Sequence, residues 1–116
     1  MRRMLLHDLR LIGIAVPFNL DLRGYSKYYY GRYNPNTNTV IVYPYKTVGG
    51  ELYSYKDILK TAIHECVHCI QWQDPNFVRY KGVMHDAQFK SLYNKYVDRA
   101  KALLMFREVL NNEKAV

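Results

Sequence analysis

Residues 54–75, "SYKDILKTAIHECVHCIQWQDP", constrain the fold more than any other stretch. Leu59, Ala62, Ile63, Cys66, Val67 and Ile70 recur at the three- and four-residue spacing of one helix face. Ser54 is placed to cap the helix, and Asp57 sits three residues on, where a negative charge meets the positive end of the helix dipole. Asp74-Pro75 ends it, because proline lacks the N–H and disfavours a helical residue before it. On such a helix His64 and His68 lie one turn apart and project from a common face.

Two signatures overlap on that helix. His64-Glu65-Cys66-Val67-His68 reads as H-E-x-x-H, and Cys66-Val67-His68-Cys69 reads as C-x-x-C. Two imidazoles at i and i+4 can share one zinc ion at about 2.0–2.1 Å. Glu65 stands beside the first of them, where it can take a proton from zinc-activated water and pass one to a leaving amine. The cysteine pair points elsewhere. Redox C-x-x-C pairs sit at a helix N-terminus, where the dipole acidifies the thiol, whereas Cys66 is about three turns inside the helix. Cys66 shares the apolar stripe and reads as a small buried hydrophobe; Cys69 is left between partial burial and exposure. Thiols three apart on one helix are not set up to bridge, so no structural disulfide and an intracellular setting are expected.

A catalytic zinc takes three protein ligands and keeps a position open. The chain has four histidines: His7, His64, His68 and His85. His7 has no supporting pattern and reads as a surface or satisfied core residue. His85 opens a second helical stretch one turn before Phe89, so it shares that helix's core-facing stripe. A second helix packed antiparallel on the first would carry His85 toward His64 and His68. Asp86 reads, in order of preference, as an N-cap, an acceptor for an imidazole N–H, and a rival ligand.

The remaining pattern is that of one α+β domain spanning residues 1–116. Residues 2–10 read as a short helix and residues 11–16 as a short buried strand closed by Pro17. Residues 19–27, "NLDLRGYSK", read as a loop. "KYYYGRYN" (27–34) and "TVIVYPY" (39–45) read as two strands of a hairpin joined by the turn residues "PNTN". Residues 75–84 read as a linker with Phe77, Tyr80 and Gly82. Asp86 then caps a long helix with the stripe Phe89, Leu92, Tyr93, Tyr96, Ala100, Leu103, Leu104 and Leu110, and the polar tail from residue 111 is expected to fray. Trp72 is expected to pack on that helix.

Composition sets outer bounds. Apolar residues are 49% of 116, enough for an ordinary core. The N-terminal apolar run is too short to span a bilayer and lacks a signal-peptide cleavage site, so no membrane role is expected. The net charge of +7 leaves nucleic acid open as a partner. Twelve tyrosines fit a half-wet sheet surface; the functional alternative is a platform for stacked bases or an extended peptide.

"HECVHCIQW" followed by "MHDAQFKSLY" resembles the SprT-like (Spartan-type) zinc metalloprotease domain family. Members carry H-E-x-x-H, often with Cys before the second His and Trp shortly after it, then a further His with an aromatic four residues on. Cys66, His68, Trp72, His85 and Phe89 match, whereas Asp86 stands where Gly is usual. The hairpin "YYYGRYNPNTNTVIVYP" is similar to the Gly-containing hairpin before the family's active-site helix, so the likeness covers about residues 24–97. It implies a small zincin-like domain with zinc on His64, His68 and His85, Glu65 as general base, and a sheet edge lining the cleft for a protein or peptide substrate. No C-terminal zinc ribbon of the kind that many members add is expected. The resemblance also implies a cytoplasmic protein, in a host cell if the chain is a phage's.

The expected function is zinc-dependent peptide hydrolysis, with Tyr43 and Tyr80 as candidates to stabilise the oxyanion. The alternatives are a zinc-stabilised module that binds nucleic acid or protein without proteolysis, and a hydrolase of non-peptide amides. His₃ sites also accept divalent ions other than zinc.

Overall fold

The computed structural model describes residues 1–77 and 85–114. Their elements are α1 (Arg2–Leu11), β1 (Asn19–Leu22), β2 (Gly31–Asn34), β3 (Thr39–Val42), α2 (Tyr55–Gln73) and α3 (Ala87–Lys114). This is a small α+β domain with a mixed sheet. Tyr80 and Gly82 of the expected linker lie outside the described residues.

The sheet is ordered β1-β3-β2, with β1 parallel and β2 antiparallel to β3. Central β3 is the apolar strand: Val40, Ile41 and Val42 are all buried. The β2–β3 turn depends on Asn38, whose φ of 49° is a left-handed value that Asn tolerates. The Asn38 amide donates to the Pro17 carbonyl (2.8 Å), and its Oδ1 accepts from the Tyr33 hydroxyl (2.7 Å) and from Gln73 Nε2 (3.2 Å). One side chain thus ties the hairpin tip to the end of α2.

Four expectations need correction. Residues 11–16 are not a strand. Helix α1 runs to Leu11, Gly13 turns the chain at φ 104°, and Arg10 then holds the Ile14 and Val16 carbonyls at 2.9 and 2.6 Å. With those acceptors taken by a guanidinium, Ile14 buries without sheet pairing. Conversely, residues 19–22 within the expected loop are β1, paired in register from Asn19↔Thr39 to Leu22↔Val42. Its Asn and Asp resemble turn chemistry, but Leu20 alternates inward and is buried. The first tyrosines of "KYYYGRYN" precede β2 rather than belong to it, and β3 stops at Val42, ahead of Pro44. Nor does the helix end where the polar tail begins at residue 111, since α3 continues to Lys114.

Helices α2 and α3 form the other half of the core. Ser54 caps α2 as its side chain accepts from the Asp57 N–H (3.2 Å). Leu59, Ala62, Ile63, Cys66 and Val67 are fully buried against the sheet, with Phe89, Tyr96, Val97 and Ala100 of α3. The stripe of α3 weakens after Ala100, and Leu110 is 37% exposed. Trp72 is also largely outside the core, at 45% exposed. No helix among the described residues is long and apolar enough to cross a membrane.

Candidate metal centre

The site is built where α2 and α3 cross. Gln71 faces Asp86 and Gln88, His68 faces Phe89, and His64 reaches Tyr93, so the helices run antiparallel. That arrangement carries His85, just before α3, onto the histidine face of α2. The ring centroids lie 5.1 Å apart for His64–His68, 4.8 Å for His64–His85 and 5.1 Å for His68–His85. Beneath them packs Phe89, 4.6–4.9 Å from all three imidazoles.

These three side chains fit a metal ion. One nitrogen from each lies within 4.8 Å of the others, and His85 Nε2 is 3.2 Å from His68 Nε2. Tetrahedral zinc with Zn–N bonds of about 2.0–2.1 Å separates its ligand nitrogens by about 3.3 Å. Burial, and secondly the neighbouring His85, push the His64 imidazole below its ordinary value, which favours the neutral ring that a metal needs. Among the described residues no Cys, Asp or Glu joins this group.

Glu65 is 7% exposed, and burial pushes its carboxyl up to about 7. A cation on the adjacent histidines would draw it back down. Glu65 and His64 line one end of a cavity of about 550 Å³, which runs along α2 to Asp57 and is walled by tyrosines. Tyr43 lies on that wall; Tyr80 falls outside the described residues.

Asp86 is a helix cap. Its Oδ1 accepts from the Phe89 N–H (2.8 Å), and its backbone carbonyl accepts from the Lys90 N–H (3.1 Å). The same Oδ1 also accepts from Gln71 Nε2 (3.2 Å), which donates to Gln88 Oε1 as well (2.9 Å). Gln71 is thereby the brace that fixes the start of α3, and with it His85. It is buried to 4% exposure, yet no motif marks it. His7 is exposed on α1, away from the group. Cys66 and Cys69 are buried free thiols, and burial pushes both thiol pKa values up, opposite to a redox pair.

Gly31 was also invisible as a site residue. A Cβ there would meet Thr61 Cγ2 at 2.8 Å, the Ile41 carbonyl at 2.9 Å and Glu65 Cγ at 3.1 Å. Glycine therefore lets β2 lie directly on the face of α2 that carries Glu65. Gly31→Ala is expected to cost about 1–3 kcal/mol by overpacking, read as a lowered urea midpoint. An unchanged midpoint would mean that strand and helix part freely.

No protein-family model, curated protein or solved structure matches this chain.

Proposed function

We propose that the domain is a zinc-dependent peptidase of the SprT-like, zincin-like type, with His64, His68 and His85 holding the ion and Glu65 acting as general base. One observation carries this reading: three histidine nitrogens from two elements converge beside a buried glutamate at the end of a cavity. A closed structural zinc would call for a fourth protein ligand, and an adjacent base would have no task there.

When bound, the ion supplies Lewis acidity, which acidifies water and polarises a carbonyl. The rest falls to the chain. Glu65 accepts the proton of the attacking water and delivers it to the departing amine. Strand β2 lies at the sheet edge with Gly31 in the cavity wall, so an extended peptide can add to it through backbone hydrogen bonds. Phe89 and Tyr93 pack against the imidazoles and limit the water around them. The free thiols Cys66 and Cys69 suit a reducing, cytoplasmic setting.

A second reading has support of its own. Tyr28 is 80% exposed with Lys27 over its ring, and the chain carries +7, as a nucleic-acid-binding module would. Binding of single-stranded DNA that falls steeply with salt, without proteolysis, would favour it.

The deciding experiment incubates the protein, loaded with stoichiometric zinc, with unfolded casein. Cleavage is expected, lost with a chelator and restored by zinc. Zinc-loaded wild type that cleaves nothing would overturn the reading. His85→Ala is expected to lower zinc affinity by more than about a hundredfold, since hydrogen-bond partners of metal ligands alone are worth about 10–100-fold. Tight stoichiometric zinc in that variant would remove His85 from the ligand set.

A further inference from the structure

The cavity beside Glu65 has an unusual wall. Tyr28, Tyr29, Tyr30, Tyr43, Tyr53 and Tyr93 all line it, over an apolar base that includes Val42 and Ile58. Tyr30 and Tyr53 meet edge to face at 5.5 Å. Three of these rings already carry a cation of the chain itself: Lys27 over Tyr28 at 5.8 Å, Arg32 over Tyr29 at 5.1 Å and Lys46 over Tyr53 at 5.9 Å. None of those three cations lines the cavity.

The charges within the cavity are of mixed sign, with Lys60 beside Asp57 and Glu65. A cation would be repelled by Lys60 and drawn by Asp57 and Glu65, and three of the six rings already serve Lys27, Arg32 and Lys46. An anion would meet the carboxylates of Asp57 and Glu65. A large neutral guest needs no charge pairing and gains apolar surface at Val42 and Ile58, and ring edges and faces in the offset or T-shaped geometry that aromatic pairs prefer. A volume of about 550 Å³ is ample for one aromatic side chain with its backbone.

We infer that this cavity takes the neutral aromatic side chain of the substrate residue adjoining the cleaved bond, with the tyrosine wall as the determinant of specificity. The inference rests on the peptidase reading for its placement beside that bond, because His64 and Glu65 form one end of the cavity. Phe, and after it Tyr or Trp, is the preferred residue; Ala, Asp and Lys are poor ones.

The test uses zinc-loaded Glu65→Gln protein, so that binding is read without turnover. The probes are capped pentapeptides Ala-Ala-X-Ala-Ala with X as Phe, Ala, Asp or Lys, together with octathymidine, each titrated by calorimetry or NMR. The Phe peptide is expected to bind about tenfold or more tighter than the Ala peptide, the scale set by burying an aromatic side chain. Tyr53→Ala should cut that ratio below about threefold while leaving the Ala peptide unchanged, since the change removes apolar area that only Phe contacts. Tyr30→Ala should act in the same direction and guards against misfolding, because Tyr30 is 65% exposed. Equal affinity for Phe and Ala, tighter binding of Asp, Lys or octathymidine, or a preference unmoved by both tyrosine variants would overturn the inference. Wild-type turnover separates the two levels. Cleavage without preference for Phe sinks the subsite and spares the peptidase; preferential binding of Phe without any cleavage overturns the peptidase and with it the placement beside a cleaved bond, leaving an aromatic-binding cavity.

Discussion

Glu65→Gln is expected to keep its zinc and its fold while losing peptide hydrolysis by about 10²–10⁴-fold, the share that a positioned general base contributes. The substitution preserves shape at a position that is 7% exposed, so packing beside Gly31 is kept. It also removes a carboxylate whose burial is unfavourable, as its upward shift to about 7 records. The metal-free variant should therefore unfold at the same temperature as wild type or a higher one. The informative readout is kcat beside zinc content in the same preparation. If the variant holds zinc and still cleaves at the wild-type rate, proton transfer belongs to another group.

The second large effect lies outside the histidine group. Asp8 of α1 has no exposed surface, and it binds Arg107 of α3 through two hydrogen bonds of 2.9 and 2.7 Å. The Tyr55 hydroxyl at the start of α2 donates to the same carboxylate. One buried charge thus joins all three helices. Asp8→Ala leaves the Tyr55 hydroxyl without its acceptor and the Arg107 guanidinium, itself 36% exposed, to turn to water, and is expected to cost about 1–3 kcal/mol, a sizeable part of an ordinary domain's stability. Urea denaturation at pH 7 measures it; a loss under about 1 kcal/mol would show that water replaces the carboxylate, as at exposed ion pairs.

The same residue sets a pH dependence. The Arg107 guanidinium holds the Asp8 carboxyl below its ordinary value, with help from Tyr55 and against the opposing effect of burial. The folded state therefore binds this proton less readily than the unfolded chain does. The stabilisation is fully present above the unfolded value of about 3.9 and is lost as the pH falls through the folded one. Wild type should lose stability steeply below about pH 4, and Asp8→Asn should show a shallower acid limb. Parallel slopes for the two proteins would contradict that assignment.

Helix α2 was readable because its signals agree. The Ser54 cap, the apolar stripe from Leu59 to Ile70 and the Asp74-Pro75 stop all specify one element, and helical spacing then puts His64 and His68 together. His85 was readable because Phe89 marks the face of the second helix that turns inward. The N-terminal third was not readable in the same way. Whether residues 11–16 pair as a strand depends on where Arg10 sends its guanidinium, and a strand as short as "NLDL" has too little alternation to outweigh its turn-like Asn and Asp. Gly31, Gln71 and the Asp8–Arg107 pair were hidden for a related reason. Each draws its importance from a neighbour distant in sequence, and no local pattern announces such a neighbour.

His85 stands 17 residues beyond His68 in the chain, yet its Nε2 lies 3.2 Å from that of His68. An ion shared by His64, His68 and His85 would close that span into a ring, restricting the unfolded chain as a crosslink does. Metal uptake and closure of the α2–α3 corner then become a single equilibrium. In a peptidase built this way, loss of the ion would do more than silence the centre. It would release the clasp on the corner, so a scarcity of zinc would expose the idle molecule to digestion, whereas loaded copies would stay shut and persist.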